Sequence, residues 1–303
     1  MTKILAIGEV MLEMSDVGNG LFKKSFAGDT FNVAHYINVA SRGRIKADYL
    51  TALGDDDSSR DCLAFLEEMG VSTGKIQTLE GRTIGLFVLS NDAAGEKKYG
   101  YWRGQSAARH LFDQTQDLTG FDMVYFSGIT AAITENRNNL ISSLAEVKFQ
   151  AKAQGKSDSA KIIYDFNHRA QLWSKEQACS FANEILPLVD IAKISDEELV
   201  LLYGDKDVQG FSKQYPDTEW VLTCGGEKAE VWQAGERLAA QSFTSVVDVV
   251  DTSAAGDAFI GTYLAAKSDG SSFEECLTRA HAIASQVVCA KGSIVKIDLS
   301  ILN

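Results

Sequence analysis

Short apolar runs along the chain alternate with stretches in which apolar residues recur every three or four positions. Lys3–Gly8 reads as a buried strand. Thr30–Ala40 carries Val33, Ala34, Ile37 and Ala40 at helical spacing. Asp48–Leu53 reads as a strand. Asp57–Met69 reads as a helix, with Gly70 just past its end, where a left-handed residue is favoured. Asp122–Ser127 is another strand run and Glu135–Ala153 a long helix. Lys161–Asp165, Ile191–Ile194 and Trp220–Thr223 are further short strands, with helical segments between the first two. Serial β–α units of this kind predict a central, mainly parallel sheet covered on both faces.

Two segments break the alternation. Val10–Gly28 lies between the first strand and the first helix. Thr83–Trp102 holds two β-rich runs around Asn91-Asp92-Ala93-Ala94-Gly95, a hairpin-turn pattern. Together they predict a small second sheet, inserted at about residues 10–28 and 83–103 of a single domain that spans residues 1–303. No linker, internal repeat or low-complexity tract interrupts the chain, and Gly155–Ala160 is only a polar loop. A length of 303 residues suits one large α/β domain, although two ordinary domains would also fit.

Composition narrows the partners. A net charge of −12 and a pI near 4.9 make nucleic acid and anionic membrane poor partners. An acidic protein that binds an anionic ligand must therefore gather its cations locally. The five cysteines (Cys62, Cys179, Cys224, Cys276, Cys289) form no CxxC pair, which suits reduced thiols in the cytoplasm. The four histidines lack ligand spacing, which argues against zinc. No apolar stretch has the length of a membrane span, and the N-terminus reads as a first strand rather than a signal peptide.

Asp251-Thr252-Ser253-Ala254-Ala255-Gly256-Asp257-Ala258-Phe259 carries most of the chemistry. It follows the strand-like Ser245–Val250 and precedes the helical pattern Ala258–Ala266. Small residues at a strand-to-helix turn expose backbone N–H groups that, with the helix dipole, form an anion site. Asp257 would stand beside the anion, an unfavourable place for a carboxylate unless it accepts a proton from an attacking hydroxyl. The same residues also suit an ordinary helix start, and that reading stays open.

The string DTSAAGDAF resembles the DTxGAGD signature of the PfkB, or ribokinase-like, carbohydrate kinases. Gly28-Asp29-Thr30-Phe31-Asn32-Val33-Ala34 resembles the family's N-terminal signature, in the same order along the chain. The resemblance runs from Lys3 to about Val295. It leans to the subgroup acting on the sugar acid 2-keto-3-deoxygluconate, through Gly8-Glu9-Val10-Met11, Tyr101-Trp102-Arg103, Asp165-Phe166-Asn167-His168-Arg169 and Leu172-Trp173. It implies an α/β fold with a mainly parallel sheet flanked by helices and a small β lid. It also implies transfer of a phosphoryl group from ATP, with Mg²⁺, to a terminal hydroxyl; a PfkB-type kinase of a neutral sugar (a fructokinase or ribokinase) and a non-catalytic sugar- or nucleotide-binding regulator are the alternatives.

By the resemblance, Asp257 is the catalytic base, and Ala254, Ala255 and Gly256 supply the anion hole with it. Gly28, Asp29 and Asn32 contact hydroxyls. Arg103 and Arg169 favour a sugar acid, because a guanidinium fork matches a carboxylate; an exposed strand face and an ordinary surface ion pair are their alternatives. Tyr101 approaches the ligand from the lid, where Phe87 stands in place of a frequent Tyr. Asp165 and Asn167 lie near a strand's carboxyl end, where ligand groups collect. Ser195 and Glu198 resemble the family's NxxE element, with Ser in place of Asn, and also form a capping-box pattern. Thr223, Gly225 and Gly226 resemble a loop near ATP, with Lys228 where a final Gly is common, and Ala282–Cys289 occupies the place of the adenine-facing helix. Asp251 and its loop would touch a monovalent cation if one is used. Relatives often dimerise through the lid, and exposed β edges at Leu86–Trp102 would allow a homodimer; the sequence leaves the oligomeric state open.

Overall fold

The computed structural model describes residues 2–91, 97–153, 160–204 and 207–302. In chain order the first half contains β1 (Ile4–Ile7), β2 (Met11–Gly18), β3 (Leu21–Ala27), α1 (Asp29–Ala40), β4 (Asp48–Leu50), β5 (Ala52–Gly54), α2 (Asp57–Glu68), β6 (Gln77–Leu79), β7 (Gly85–Asn91), β8 (Lys97–Trp102), β9 (Met123–Ser127), α3 (Gly128–Ile133) and α4 (Arg137–Ala153). The second half contains β10 (Lys161–Asp165), α5 (Lys175–Ile185), β11 (Ile191–Ser195), α6 (Asp196–Tyr203), α7 (Val208–Gln214), β12 (Glu219–Cys224), β13 (Lys228–Gln233), β14 (Glu236–Ser242), α8 (Ala255–Ser268) and α9 (Phe273–Val288).

The main sheet has eight strands in the order β14-β13-β12-β11-β10-β9-β1-β4. Its first-laid strands pair in parallel, while β13 and β14 add an antiparallel edge. The apolar runs are continuous because both faces are covered. Ile4, Ala6, Tyr125, Ile163, Ile191 and Val221 point to the side of α1, α8 and α9. Leu5, Ile7, Val124, Phe126, Ile162, Tyr164 and Ala192 point to the side of α4, α5 and α6.

A second, four-stranded sheet has the order β3-β2-β7-β8. Chain connectivity attaches it at the carboxyl end of β1 and the start of α1. Met11, Ala27 and Phe87 form a small apolar cluster on one of its faces. At Gly28, between the sheet and α1, a Cβ would lie 2.1 Å from the Glu9 carbonyl oxygen, so only glycine lets the two chain segments pass this closely.

Two sequence expectations change. Asp48–Leu53 divides at Thr51: β4 continues the main sheet, whereas β5 pairs with β6 in a separate two-stranded ribbon. Ser245–Val250 forms no strand. The amides of Val250 and Asp251 both donate to the Val288 carbonyl at the end of α9, and Val247 is 91% exposed. Valine-rich sequence favours a strand only where a partner strand is at hand. The turn expected at Asn91–Gly95 and the loop at Gly155–Ala160 fall largely outside the described residues.

Candidate active site

Asp257 is the third residue of α8 and is partly buried. The helix starts from Ala254, whose φ of 59° is left-handed and whose side chain offers no cap. An L-residue with a side chain pays strain here, and in the signature this position is commonly glycine. The Ala255 amide donates to the Thr252 carbonyl at 3.3 Å, and the Ala258 amide makes the first helical bond, to Ala254. The N–H groups of Gly256 and Asp257 are thus the ones left without an intrahelical acceptor at this helix start. Asp251 is buried and knits the turn, accepting from the amides of Ser253 at 2.8 Å and Gly292 at 3.1 Å.

The start of α1 meets the start of α8. Asn32 Nδ2 donates to Asp257 Oδ2 at 2.8 Å. Asp29, the first residue of α1, accepts from Ser127 Oγ at 2.5 Å and from Asn167 Nδ2 at 3.0 Å. Ser127 closes β9, and Asn167 follows β10 in a left-handed conformation with a φ of 33°. Asp165, at the carboxyl end of β10, accepts from the Asn167 amide at 3.2 Å and from Tyr125 Oη at 3.4 Å. The structure therefore gathers Gly28, Asp29, Asn32, Asp165, Asn167 and Asp257, which are scattered in sequence, at helix starts and strand ends.

This floor is crowded with carboxylates. Burial first, then the nearby charges of Asp29 and Asp165, push Asp257 up to about 7, against the pull of the Asn32 hydrogen bond and Lys193. Asp165 rises to about 6, chiefly through burial, although Lys193 opposes the shift. Lys193 was not singled out in the sequence. It lies on β11, has a side chain 9% exposed, and its Nζ stands 3.2 Å from Asp165 Oδ1. Burial alone would lower its pKa, but Asp165, Glu198 and Asp257 outweigh that and raise it. The available signal was a lysine inside the otherwise apolar Ile191–Ile194.

Across from the floor, the second sheet presents Glu13, Phe87, Tyr99 and Tyr101 on one face, as the pairing of Glu13 with Phe87, Phe87 with Tyr101 and Leu89 with Tyr99 dictates. Tyr99 Oη lies 3.5 Å from Ser253 Oγ, so this sheet reaches the turn before α8. Burial raises Tyr101, while the charges of Arg103 and Arg169 oppose the shift, and the Arg103 guanidinium lies 5.9 Å from the Tyr101 ring centroid. The two arginines differ otherwise. Arg169 is exposed, with Nη1 donating to the His168 carbonyl at 3.1 Å. Arg103 is buried and its Nη2 pairs with Glu9 Oε2, a contact between the two sheets. Arg103 Nε and Glu9 Oε1 are buried without a hydrogen-bond partner among the described residues.

On the β11–β12 side, Ser195 and Glu198 form the capping box of α6. Glu198 accepts from the Ser195 amide at 2.9 Å and from the His168 amide at 2.7 Å, tying this helix start to the segment that carries Arg169. Thr223 is the penultimate residue of β12, and Gly225 and Gly226 take positive φ values of 52° and 80° in the turn to β13. Lys228 pairs with Glu230 at 2.5 Å. Ala282–Val288 lies within α9, with Cys289 as its cap.

An open α/β sheet with polar groups converging beyond the carboxyl ends of its parallel strands defines a ligand-binding crevice of the kind used by α/β enzymes. The family described as pfkB family carbohydrate kinase matches residues 1–299, and the chain belongs to that family. It is thus an enzyme that transfers a phosphoryl group to an alcohol. A protein named 2-dehydro-3-deoxygluconokinase from Dickeya dadantii is 33% identical, over 97% of this chain and 97% of its own. The crystal structure of 2-dehydro-3-deoxygluconokinase from Thermotoga maritima superposes with a TM-score of 0.81 at 21% identity, covering 100% of this chain and 98% of that one. Aminoimidazole riboside kinase from Salmonella enterica, solved with aminoimidazole riboside and an ATP analog, gives 0.78 at 21% identity, with 100% and 97% coverage.

Proposed function

We propose that this enzyme phosphorylates the terminal hydroxyl of 2-keto-3-deoxygluconate, with ATP as the donor. The observation that carries the substrate class is the cationic edge beside Tyr101: the Arg103 guanidinium lies 5.9 Å from the Tyr101 ring centroid, held on one side by Glu9, and Arg169 is exposed on the segment that follows Asn167. A guanidinium fork suits a carboxylate, and a neutral sugar has no use for one. Relatives bearing the matching name at 33% identity support the same reading.

Asp257 is the base. Asn32 holds its carboxylate at 2.8 Å, and a pKa of about 7 lets it take a proton near neutral pH. The hydroxyl oxygen then attacks the γ-phosphorus in line. The free amides of Gly256 and Asp257, with Ala254 and Ala255 shaping the turn, stabilise charge on the phosphoryl group. Asp29 and Asn167 orient substrate hydroxyls, with Gly28 letting them approach. Thr223, Gly225 and Gly226 border the nucleotide together with the exposed valines before Asp251. A Mg²⁺ ion bound with ATP would supply neutralisation of phosphate charge. Among the described residues no three acidic or histidine side chains cluster to hold a metal directly, so such a cation would be held chiefly by ATP, with Glu198 the protein carboxylate that would face it. The second sheet, from segments near 10–28 and 83–103 of the one domain, acts as a lid that excludes water.

ADP release with Mg·ATP over 2-keto-3-deoxygluconate, fructose, ribose, gluconate and no acceptor tests this. Turnover confined to 2-keto-3-deoxygluconate is expected. Turnover with fructose or ribose instead would overturn the sugar-acid assignment while leaving the kinase in place.

A further inference from the structure

The floor holds Asp29, Asp165, Asp257 and, a little further off, Glu198, yet a nucleotide triphosphate must approach it in a protein of net charge −12. The free amides of α8 answer part of that repulsion. Lys193 is placed to answer more. Its ammonium lies directly beneath the first turn of α8: a Cβ built on Gly256 would stand 3.4 Å from Lys193 Nζ. No backbone or aromatic group separates the two there, because residue 256 is glycine. An ammonium packed under the positive end of a helix is repelled by it, unless an anion shared by both is bound. Asp165 takes one of the three ammonium N–H groups, at 3.2 Å, and leaves donors for a ligand.

We propose that Lys193 donates to the phosphate chain of ATP from below the anion hole, making it a catalytic residue of the transfer that completes the cradle begun by the Gly256 and Asp257 amides. The inference rests on the kinase reading above but not on which sugar is the acceptor. The groups that face the ammonium keep it charged: Asp165 from β10, Glu198 from α6 and Asp257 from α8 together raise its pKa against the effect of burial. Gly256 acquires a second duty here, since besides bringing its amide to the phosphate it leaves the ammonium room.

The competing account is that Lys193 and Asp165 only tie β11 to β10, as a buried ion pair. Direct binding separates the two without needing an acceptor. Affinities for ATP and for adenosine are measured by calorimetry on the wild type, Lys193→Met and Lys193→Arg. A phosphate contact predicts that Lys193→Met weakens ATP by about tenfold or more, leaves adenosine unchanged, and is partly rescued in Lys193→Arg. Equal effects on ATP and adenosine, or none on either, would overturn the proposal. Should Lys193→Met fail to fold because Asp165 is left unpaired, the Asp165→Asn/Lys193→Met double variant removes both charges, and the same contrast between ATP and adenosine decides. If the wild type itself gains nothing from the phosphates over adenosine, the kinase reading falls rather than the assignment of Lys193.

Discussion

In the floor of the site, Asp29, Asn32, Asp165, Asn167, Lys193 and Asp257 are held by one another, on helix starts and strand ends of the main sheet. The sheet across from them offers Phe87, Tyr99 and Tyr101, rings stacked or tilted at centroid distances of 6.0–6.2 Å, with few polar ties to the floor. Its contacts to the floor side are the 3.5 Å approach of Tyr99 to Ser253 and the Glu9–Arg103 pair at the junction of the sheets. A network of short polar contacts fixes geometry, as bond making requires, whereas a ring-lined sheet can move as a body and still bury its ligand. The floor should therefore govern kcat and the roof and rim should govern KM.

The largest effect expected is in the floor. Asp257→Asn should lower kcat by about a thousandfold while ATP affinity, measured by calorimetry, is retained. A comparable loss of ATP binding would show that the residue shapes the site rather than acting as its base. At the rim, Arg169→Ala should raise KM for the sugar acid roughly 30- to 100-fold with kcat within a fewfold. A fall in kcat without a change in KM would erase the distinction between the regions. Arg103→Ala is a less clean probe, because it also leaves Glu9 buried and unpaired, a change expected to cost about 3 kcal/mol in a denaturation curve.

The pH profile sharpens the assignment of the base. Asp257 must be ionised to accept a proton, and its pKa is raised to about 7. Below that pH, kcat/KM should fall about tenfold per unit, and above it level off. A limb near 4 would mean that Asp257 is not desolvated in solution as it is in this structure. The raised value has a stability side as well. Between the ordinary carboxylate pKa and 7 the unfolded chain loses the proton that the folded chain keeps, so stability declines as pH rises through that window. Asp257→Asn should remove this decline and melt higher than the wild type at pH 8.

The smallest effect concerns strain. Ala254→Gly relieves a left-handed alanine and should stabilise the protein by about 1 kcal/mol, read as a rise of a few degrees in Tm. If activity also drops, the strain had been holding the anion-hole turn in place.

The main sheet and the start of α8 were legible in the sequence because both are local. Apolar runs between helical patterns specify β–α units, and small residues before an acid specify a helix start. Pairings between distant segments were not. Arg103 and Glu9 are 94 positions apart, and nothing local to Tyr101-Trp102-Arg103 says that the arginine faces inward to a carboxylate. Asn32 and Asp257, 225 apart, read as a hydroxyl contact and as a base in two separate signatures, and only the fold makes them partners. Lys193 was hidden by its setting, a short strand read for its apolar neighbours. Ser245–Val250 misled for the opposite reason, since an apolar run signals burial in general and here the end of α9, not a partner strand, takes its last amide.

Gly261, four positions beyond Asp257 along α8, gives the site a mechanical weak point. A Cβ there would come within 2.8 Å of the Val33 carbonyl oxygen on α1, one residue past Asn32. The two helices thus behave like the arms of a caliper closed on a glycine hinge, whose tips are the Asn32 amide and the Asp257 carboxylate. At about 1.5 Å of rise per residue the hinge lies only about 6 Å from the tip. Inserting even one methyl group would prise the arms apart and lengthen the Asn32–Asp257 contact, so a residue that never meets the sugar can throw the base out of alignment.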